Sequence, residues 1–168
     1  MAEVSLEAIK SLREQTSAGV MDCKNALQEA GGDIVKAVEL LRQRGLSIAA
    51  KKSSRETPEG VVDCYIHTGN RVGAIVEVNC ETDFVARTLE FRELVHNLAM
   101  QVAAMAPLYL DNEAVPDEDT VNPEEACLME QPFIKDPAKT IRDLVNEAVA
   151  QVGENIRVRR FERFALGE

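Results

Sequence analysis

The feature that most constrains the fold is a pair of β-branched runs, GVVDCYIH at 60–67 and RVGAIVEVNC at 71–80, joined only by TGN. This pattern predicts two antiparallel strands and a tight turn. Alternate residues of the second run form one apolar face: Ala74, Val76, Val78 and Cys80. One face of the hairpin should therefore be buried. Because a two-stranded hairpin is marginally stable alone, the chain must supply a third strand and helical cover.

Two amphipathic segments that follow the hairpin are predicted to provide the helical cover. Apolar residues recur at helical spacing over 89–105, and Pro107 stops that pattern. A second helix is predicted to begin at Asp136-Pro137, where a capping residue precedes proline at the first helical position. Gly153 is expected to end it.

The C-terminal sequence NIRVRRFERFALGE is predicted to be the third strand. Its phenylalanines, Phe161 and Phe164, stand three residues apart, which breaks strict alternation, so a bulge or bend is expected near Arg160. The preceding stretch 111–130 holds eight acidic residues and no basic one. It is interpreted as a solvated connection that can include a short helix at 124–130.

The first 45 residues are predicted to form three short helices, which must pack on each other because each is too short to be stable alone. Ser5 is expected to cap the first helix, and TSAG at 16–19 to end it. The second is predicted at 20–29. The third should begin after Asp33 and end at Gly45.

The composition changes again over LSIAAKKSSRETP at 46–58, which is interpreted as a linker. The chain is therefore predicted to be α+β, with two parts. Residues 1–55 form a three-helix module plus linker. Residues 56–168 form a core with a three-stranded antiparallel sheet covered by helices.

The net charge of −10 is concentrated in the stretch 111–130, and the rest of the chain is nearly balanced. Such a surface predicts no general attraction for nucleic-acid phosphate or for an anionic membrane. No apolar run is long enough to cross a bilayer, and MAEVSLEAIK lacks the features of a signal or transit peptide. A cytoplasmic protein is predicted.

The four cysteines are far apart in sequence and form no CxxC pair, and the two histidines are also distant. Zinc sites usually show close ligand pairs, so reduced thiols are predicted, and no metal or other cofactor. Cys64 and Cys80 could face each other across the hairpin, and the sequence leaves that contact open.

The sequence contains no phosphate-binding loop, dinucleotide fingerprint or nucleophile elbow. His67 and His96 lie on a predicted strand and a predicted helix, where a structural role is expected. Binding is therefore favoured over catalysis, and the chain is predicted not to be an enzyme. Two alternatives stay open: a three-helix module that binds ubiquitin-like or nascent-chain partners, and a small-molecule enzyme of the α+β class.

The segment ETDFVAR at 81–87 places an aromatic residue beside an acid just after a strand. Thr82 or Asp83 can cap a helical turn here. In one interpretation Asp83 is that cap and Phe84 folds back into the core, as phenylalanine usually does. In the other, Asp83 and Phe84 stand at the tip of a rigid element, where a large flat side chain suits a partner's pocket. General burial tendencies favour the first interpretation.

Several motifs, in order along nearly the whole chain, resemble one protein family. NCETDFV closely resembles the core signature of bacterial elongation factor Ts, the nucleotide exchange factor for elongation factor Tu. LREQTSAGVMDCKNAL and GGDIVKAVELLRQRG resemble the family's first module, and VGENIRVRRFERF resembles its C-terminal part. The resemblance implies a ubiquitin-associated-like N-terminal module, an α+β core, and promotion of GDP release during translation elongation.

The resemblance also implies which residues meet elongation factor Tu. The tip is expected to reach the partner near its Mg²⁺ and phosphate site, and the N-terminal module to dock on the partner's nucleotide domain. The residues implied are Thr82, Asp83, Phe84 and Val85 at the tip, and Arg13, Val20 and Met21 in the module. Family members often have two methionines where this chain has Val20-Met21.

Length separates this chain from the long members of the family, which carry two copies of the core sheet and a coiled-coil insertion. The present sequence has residues for one sheet and lacks heptads, so it resembles the short form. That form implies a homodimer, in which two chains pair through the sheet and C-terminal region. The acidic stretch 111–130 is expected to stand where longer members place other structure.

Overall fold

The computed structural model describes residues 4–16 and 18–168 and has the predicted α+β fold, with N-terminal helices followed by a three-stranded antiparallel sheet and its helices. The helices are α1 Leu6–Thr16, α2 Val20–Glu29, α3 Ile34–Lys52, α4 Asp83–Ala86, α5 Leu89–Met105, α6 Pro123–Ala126 and α7 Ile141–Val152. The strands are β1 Glu59–Ile66, β2 Val72–Cys80, β3 Pro132–Phe133, β4 Asp136–Thr140 and β5 Ile156–Ala165. None of the helices over these residues is long and apolar enough to span a membrane.

The main sheet has the strand order β1-β2-β5, and all its neighbours are antiparallel. Its inner face packs against α5 and α7 around a largely aliphatic core. The predicted bulge is confirmed: Glu77 lies opposite Arg160 and Val78 opposite Val158, which leaves Arg159 as the extra residue. The extra residue shifts the alternation by one position, so that Phe161 lies on the inner face, as Val158 does.

The strand register separates Cys64 from Cys80. Cys64 lies opposite Ile75 on the outer face and is exposed, whereas Cys80 lies opposite Glu59 on the inner face and is buried. The contact that the sequence left open is therefore absent. Glu59, the partner of Cys80, and Cys64 are five positions apart on β1. Side chains along a strand alternate between its two faces, so the two cysteines lie on opposite faces of the sheet.

The three N-terminal helices are confirmed and have a small core of their own. Ser5 caps α1, since its hydroxyl accepts the Ala8 N–H at 3.1 Å. The predicted break TSAG includes Ser17, which lies outside the described residues. The buried side chains of this core are Ile9, Leu12, Cys23, Ala26, Leu27 and Ala37. The likeness to a ubiquitin-associated domain and the boundary at residue 55 stay predictions.

The third helix does not end at Gly45, as predicted, but continues to Lys52. Gly45 is buried, and a Cβ placed on it would lie 3.8 Å from the Cβ of Ala150 and 4.0 Å from the carbonyl oxygen of Asn146. Glycine here lets α3 lie close against α7. The predicted linker is correspondingly shorter, because its first part is helical.

The last helix begins at Ile141, and the predicted start at Asp136-Pro137 is wrong. Asp136–Thr140 instead form β4, which pairs with β3. The Thr140 hydroxyl accepts the Asp143 N–H at 3.1 Å, and the Asp143 carboxylate accepts the Thr140 N–H at 3.1 Å. This capping box satisfies two backbone donors at once and outweighs the Asp-Pro signal.

The acidic stretch 111–130 is only partly a solvated connection. A helical turn is present near the predicted position, where the Asn122 side chain caps α6 by accepting the Glu124 N–H at 3.2 Å. Residues 126–128 are buried, and Leu128 belongs to the main core. The end of the stretch is therefore part of the folded core, which its charge alone did not indicate.

Candidate partner-binding site

The segment 81–87 leaves the end of β2 as the one-turn helix α4, which we call the tip. Cys80 is the last inward residue of β2 and is fully buried. Thr82, rather than Asp83, caps α4, since its hydroxyl accepts the Val85 N–H at 3.4 Å. The Phe84 side chain is 78% exposed. The interpretation in which Phe84 folds back into the core is therefore wrong.

Thr82 is held by Glu154, which lies in the turn between α7 and β5. One carboxylate oxygen accepts the Thr82 hydroxyl at 2.7 Å, and the other accepts the Thr82 N–H at 3.0 Å. The Cys80 thiol donates to the Thr82 carbonyl at 3.2 Å. All three polar groups of Thr82 are occupied, which fixes the backbone immediately before Phe84.

The Cys80 thiol is kept protonated by its surroundings. Burial, and secondarily the negative charge of Glu154, raises the pKa of this thiol to about 11. A protonated thiol can donate the hydrogen bond to Thr82, whereas a thiolate could not. Cys80 is therefore a structural support of the tip and not a reactive nucleophile.

Asp83 is exposed and pairs with Arg87 one helical turn later, at 2.9 Å between oxygen and nitrogen. Both side chains lie mostly in solvent. Exposed pairs of this kind contribute little stability, so the Asp83 carboxylate can exchange Arg87 for a polar group of a partner at small cost.

Val85 differs from its neighbours at the tip, because its side chain is only 5% exposed and belongs to the main core. The Val85 side chain therefore anchors α4, and the contact of Val85 with a partner stays a prediction. Leu89, which sequence reasoning missed, is 67% exposed at the first position of α5. Leu89 lies outside the apolar stripe of the predicted helix 89–105, and that position was the available signal.

A second carboxylate, Glu81, ties the tip to the segment that follows α3. It accepts the Asn155 N–H at 2.6 Å and lies 3.4 Å from the Arg55 guanidinium. The hydrogen bond from Asn155, reinforced by Arg55, lowers the pKa of the Glu81 carboxyl. The Asn155 side-chain amide in turn donates to the carbonyls of Arg55, at 2.8 Å, and Ser53, at 3.4 Å.

The residues predicted for the N-terminal module lie together around the α1–α2 connection. Arg13 is exposed in the last turn of α1. Val20 and Met21 open α2 and are 50% and 62% exposed. Exposed apolar side chains at the first turn of a helix make a surface that suits a partner helix or groove.

The N-terminal module rests on the core helix that leads to Glu154. The Arg42 guanidinium on α3 lies 3.2 Å from the Asp143 carboxylate on α7. Burial of Asp143 acts to raise its pKa, but hydrogen bonds from Thr140 and Arg42 outweigh burial and lower it. Farther along, the Lys52 ammonium donates to the Gly153 carbonyl. These contacts connect the two predicted binding surfaces through α3 and α7.

The two histidines, distant in sequence, both lie against Tyr65, whose hydroxyl is 3.2 Å from Nδ1 of His67. His96 lies 3.1 Å from the Asp63 carboxylate, and its ring stands edge-on to Tyr65, with 5.9 Å between ring centroids. Among the described residues, no group of three or more His, Cys, Asp and Glu side chains is arranged to hold a metal ion.

A three-stranded sheet with an exposed aromatic tip, joined to a helical module that has its own small core, defines a two-part α+β class of protein. Comparison with known families specifies that class further. The chain belongs to the elongation factor Ts family, since the family model described as "Elongation factor TS" matches residues 3–124 and 120–168. The chain is thus a translation elongation factor.

Relatives named elongation factor Ts match the chain over almost its full length. The protein from Moorella thermoacetica is 50% identical, with 95% of this chain and 94% of the relative covered. Those from Caldanaerobacter subterraneus subsp. tengcongensis and Thermotoga maritima are each 48% identical, with 98% of either relative covered.

The relatives contain residues that this chain lacks. The alignment with the Caldanaerobacter protein spans 195 positions, which is more than the 168 residues of the chain. The two matches to the family model meet at residues 120–124, inside the acidic stretch. This junction is distant in sequence from the tip and from the N-terminal surface.

Proposed function

We propose that this protein is a guanine nucleotide exchange factor that binds elongation factor Tu, disturbs its Mg²⁺ and phosphate site, and promotes GDP release. The observation that carries the proposal is the exposed Phe84 on a backbone that Thr82 and Glu154 hold in place. A large exposed aromatic side chain is costly to leave in water, and aromatic anchors dominate the energy of protein interfaces.

An exchange factor makes and breaks no covalent bond. It must bind the nucleotide-free GTPase more tightly than the GDP-bound form, and by linkage it then weakens GDP binding by the same factor. The free energy available to weaken GDP binding is therefore the difference between the binding free energies of the factor for the nucleotide-free and the GDP-bound GTPase. A rigid tip loses little of that difference to its own bending.

The Mg²⁺ and phosphate site is a suitable target for such a tip. Mg²⁺ requires near-octahedral ligands at short distances, so a displacement of about one ångström in a neighbouring element spoils its coordination. Phe84 acts as the wedge between elements of the partner. Asp83 makes a polar contact that fixes the direction of the wedge, and Thr82 supplies the rigid base.

The N-terminal surface of Arg13, Val20 and Met21 acts as a second anchor on the nucleotide domain of elongation factor Tu. Two linked contacts raise the effective concentration of the tip at its target. The support for this role is the exposure of two apolar side chains at the start of α2. The packing of α3 on α7 keeps this anchor at a defined position relative to the core.

The active form is a homodimer in which the outer face of the main sheet pairs with a second copy. That face carries exposed apolar side chains: Val62, Ile66, Ile75 and Phe164. Ile66 and Phe164 both lie opposite Gly73, so they flank one row of the sheet. Farther along the same face, Glu77 pairs with Arg160. This pair presents both a negative and a positive charge to the same face of a second copy.

The protein acts in the cytoplasm without a cofactor, and neither nucleic acid nor a membrane is its partner. It performs no chemical step, so the isolated protein is expected not to hydrolyse GTP. Hydrolysis by the purified chain would instead favour the small-molecule enzyme that the sequence left open.

The direct test is the release of fluorescent GDP from elongation factor Tu, measured with the wild type, with Phe84→Ala and with Leu108→Ala. Leu108 is a matched control, because it is exposed but lies away from the tip, after α5. The wild type and Leu108→Ala should accelerate release strongly. Phe84→Ala should weaken the coupling between factor binding and GDP release by about 2 kcal/mol, which lowers the rate of release about thirtyfold.

Two other results of this test would lead to different conclusions about the function. Equal acceleration by folded Phe84→Ala would keep nucleotide exchange but contradict the wedge. No acceleration by the wild type would contradict the proposed function and favour a binding module with another kind of partner.

A further inference from the structure

We propose that Glu154 is a positioning residue for nucleotide exchange, and that the turn Gly153–Asn155 holds the tip and the N-terminal module in one fixed arrangement. The proposal rests on the proposed function, because it assigns a role to residues that do not themselves reach the partner. Glu154 acts through Thr82 on Phe84.

The contact between Glu154 and Thr82 has the geometry of a clamp. Both carboxylate oxygens are used, one by the Thr82 hydroxyl and one by the Thr82 N–H, at 2.7 and 3.0 Å. Two hydrogen bonds that one residue donates to the two oxygens of a single carboxylate fix orientation as well as distance, and hydrogen bonds to a charged acceptor are the stronger kind. Phe84 follows Thr82 by two residues, so its direction is set by this clamp.

Apart from Glu154, Thr82 is held through its carbonyl, which accepts from the Cys80 thiol, and through its hydroxyl, which accepts the Val85 N–H. It is exposed, and water could satisfy its N–H and hydroxyl if Glu154 were absent. Removing Glu154 therefore leaves no buried polar group without a partner. The expected consequence is a tip that samples more orientations on a core that stays folded.

The same turn also fixes the segment that follows α3. The Asn155 N–H donates to Glu81, and its side-chain amide donates to the carbonyls of Ser53 and Arg55. Asn155 is buried, which shields these bonds from competition by water. Lys52 adds a bond to the Gly153 carbonyl. Three consecutive residues thus hold the tip, through Glu154, and the end of the N-terminal module, through Gly153 and Asn155.

The test is a double-mutant cycle on GDP release from elongation factor Tu, with Glu154→Ala, Phe84→Ala and the double variant of the full chain. Glu154→Ala should lower the maximal rate of release at saturating factor by about tenfold. In the Phe84→Ala background the same substitution should change the rate less than about threefold, because residues that act through one another are not additive. Glu154→Gln, which keeps one acceptor oxygen, should recover part of the loss.

Two controls separate positioning from stability. Glu147→Ala, which breaks an ion pair with Lys139 elsewhere on α7, should leave the rate unchanged. Hydrogen exchange of the Thr82 amide, followed in the free protein, should become faster in Glu154→Ala while exchange in α5 stays unchanged. This second readout requires no partner and detects the clamp directly.

The outcomes distinguish the two proposals. Acceleration by the wild type, with additive effects of Glu154→Ala and Phe84→Ala, would overturn the positioning role alone. So would an unchanged exchange rate of the Thr82 amide. Absence of acceleration by the wild type would overturn the proposed function, and with it the role given to Glu154.

Discussion

At the scale of single residues, the structure of the tip is decided by which side chains are exposed and which are buried. Phe84 could be located from its motif, yet its exposure could not be derived from composition, because phenylalanine is usually buried. Val85 takes the buried position beside it. The one-turn helix can bury only part of its surface, and Thr82 capping decides which part faces the core.

Cys80 gives a prediction about alkaline pH. Its thiol ionises near 9.0 in the unfolded chain and at about 11 in the folded protein, so the folded state favours the protonated form. The resulting stabilisation is complete below pH 9 and is lost as the pH rises from 9 to 11. The free energy of unfolding, measured by denaturant titration across this range, should fall less steeply for Cys80→Ala than for the wild type.

The comparison must be made on the slope with pH, because Cys80→Ala also removes buried volume and lowers stability at every pH. Cys23 and Cys127, whose pKa values burial also raises, remain in both proteins and contribute equally to the two curves. Identical slopes in the two proteins would show that Cys80 is not the group responsible.

At the scale of elements, the correct and incorrect sequence predictions have identifiable causes. The strands β1, β2 and β5 and the helices α2 and α5 were predictable, since each has a clear apolar pattern and the irregular spacing in β5 itself indicated the bulge. Gly45 was misread because helix-ending glycine and close-packing glycine look alike in sequence. The start of α7 was misread because two capping signals, at Asp136 and Thr140, lie four residues apart.

The site was predictable only in part for a related reason. Asp83, Phe84, Val20 and Met21 lie in motifs, and the structure exposes them. Glu154 acts on Thr82 across 72 positions of sequence, and such a contact leaves no local signature. It becomes visible only when the turn after α7 is folded beside the end of β2.

Gly45 supplies a prediction at this scale. Its surroundings have room for a methyl group at ordinary contact distance, so Gly45→Ala should be neutral or stabilising by up to about 1 kcal/mol, since alanine favours the helix. Gly45→Leu should push α3 from α7 and destabilise the protein by about 1–3 kcal/mol. Urea unfolding of both variants tests this pair.

Equal stability of Gly45→Ala and Gly45→Leu would contradict the close packing of α3 on α7. The alanine variant is the matched control here, because it changes helix propensity in the same direction without adding bulk beyond Cβ.

At the scale of the whole molecule, the shortened segment and the exposed sheet face bear on assembly. The chain lacks residues that its relatives carry, while the tip, the N-terminal module and the outer face of the sheet are all present. A single chain leaves the apolar side chains of that face in water, which is costly unless another surface covers them.

The homodimer predicts the mass of two chains by light scattering at micromolar concentration. Phe164→Glu, which places a charge at one end of the row formed by Ile66, Gly73 and Phe164, should shift the protein to the mass of one chain without unfolding it. Glu113→Gln, a change outside that face, serves as the control. A wild-type mass of one chain at the same concentration would contradict the dimer.

The central claim is that Phe84 couples binding of this protein to loss of GDP from elongation factor Tu. The most direct measurement compares the affinity of the wild type and of Phe84→Ala for the nucleotide-free and the GDP-bound forms of that partner. The account predicts that the wild type strongly prefers the nucleotide-free form and that Phe84→Ala loses about thirtyfold of this preference. An equal loss of affinity for both forms would show that Phe84 is an ordinary anchor and would contradict the wedge.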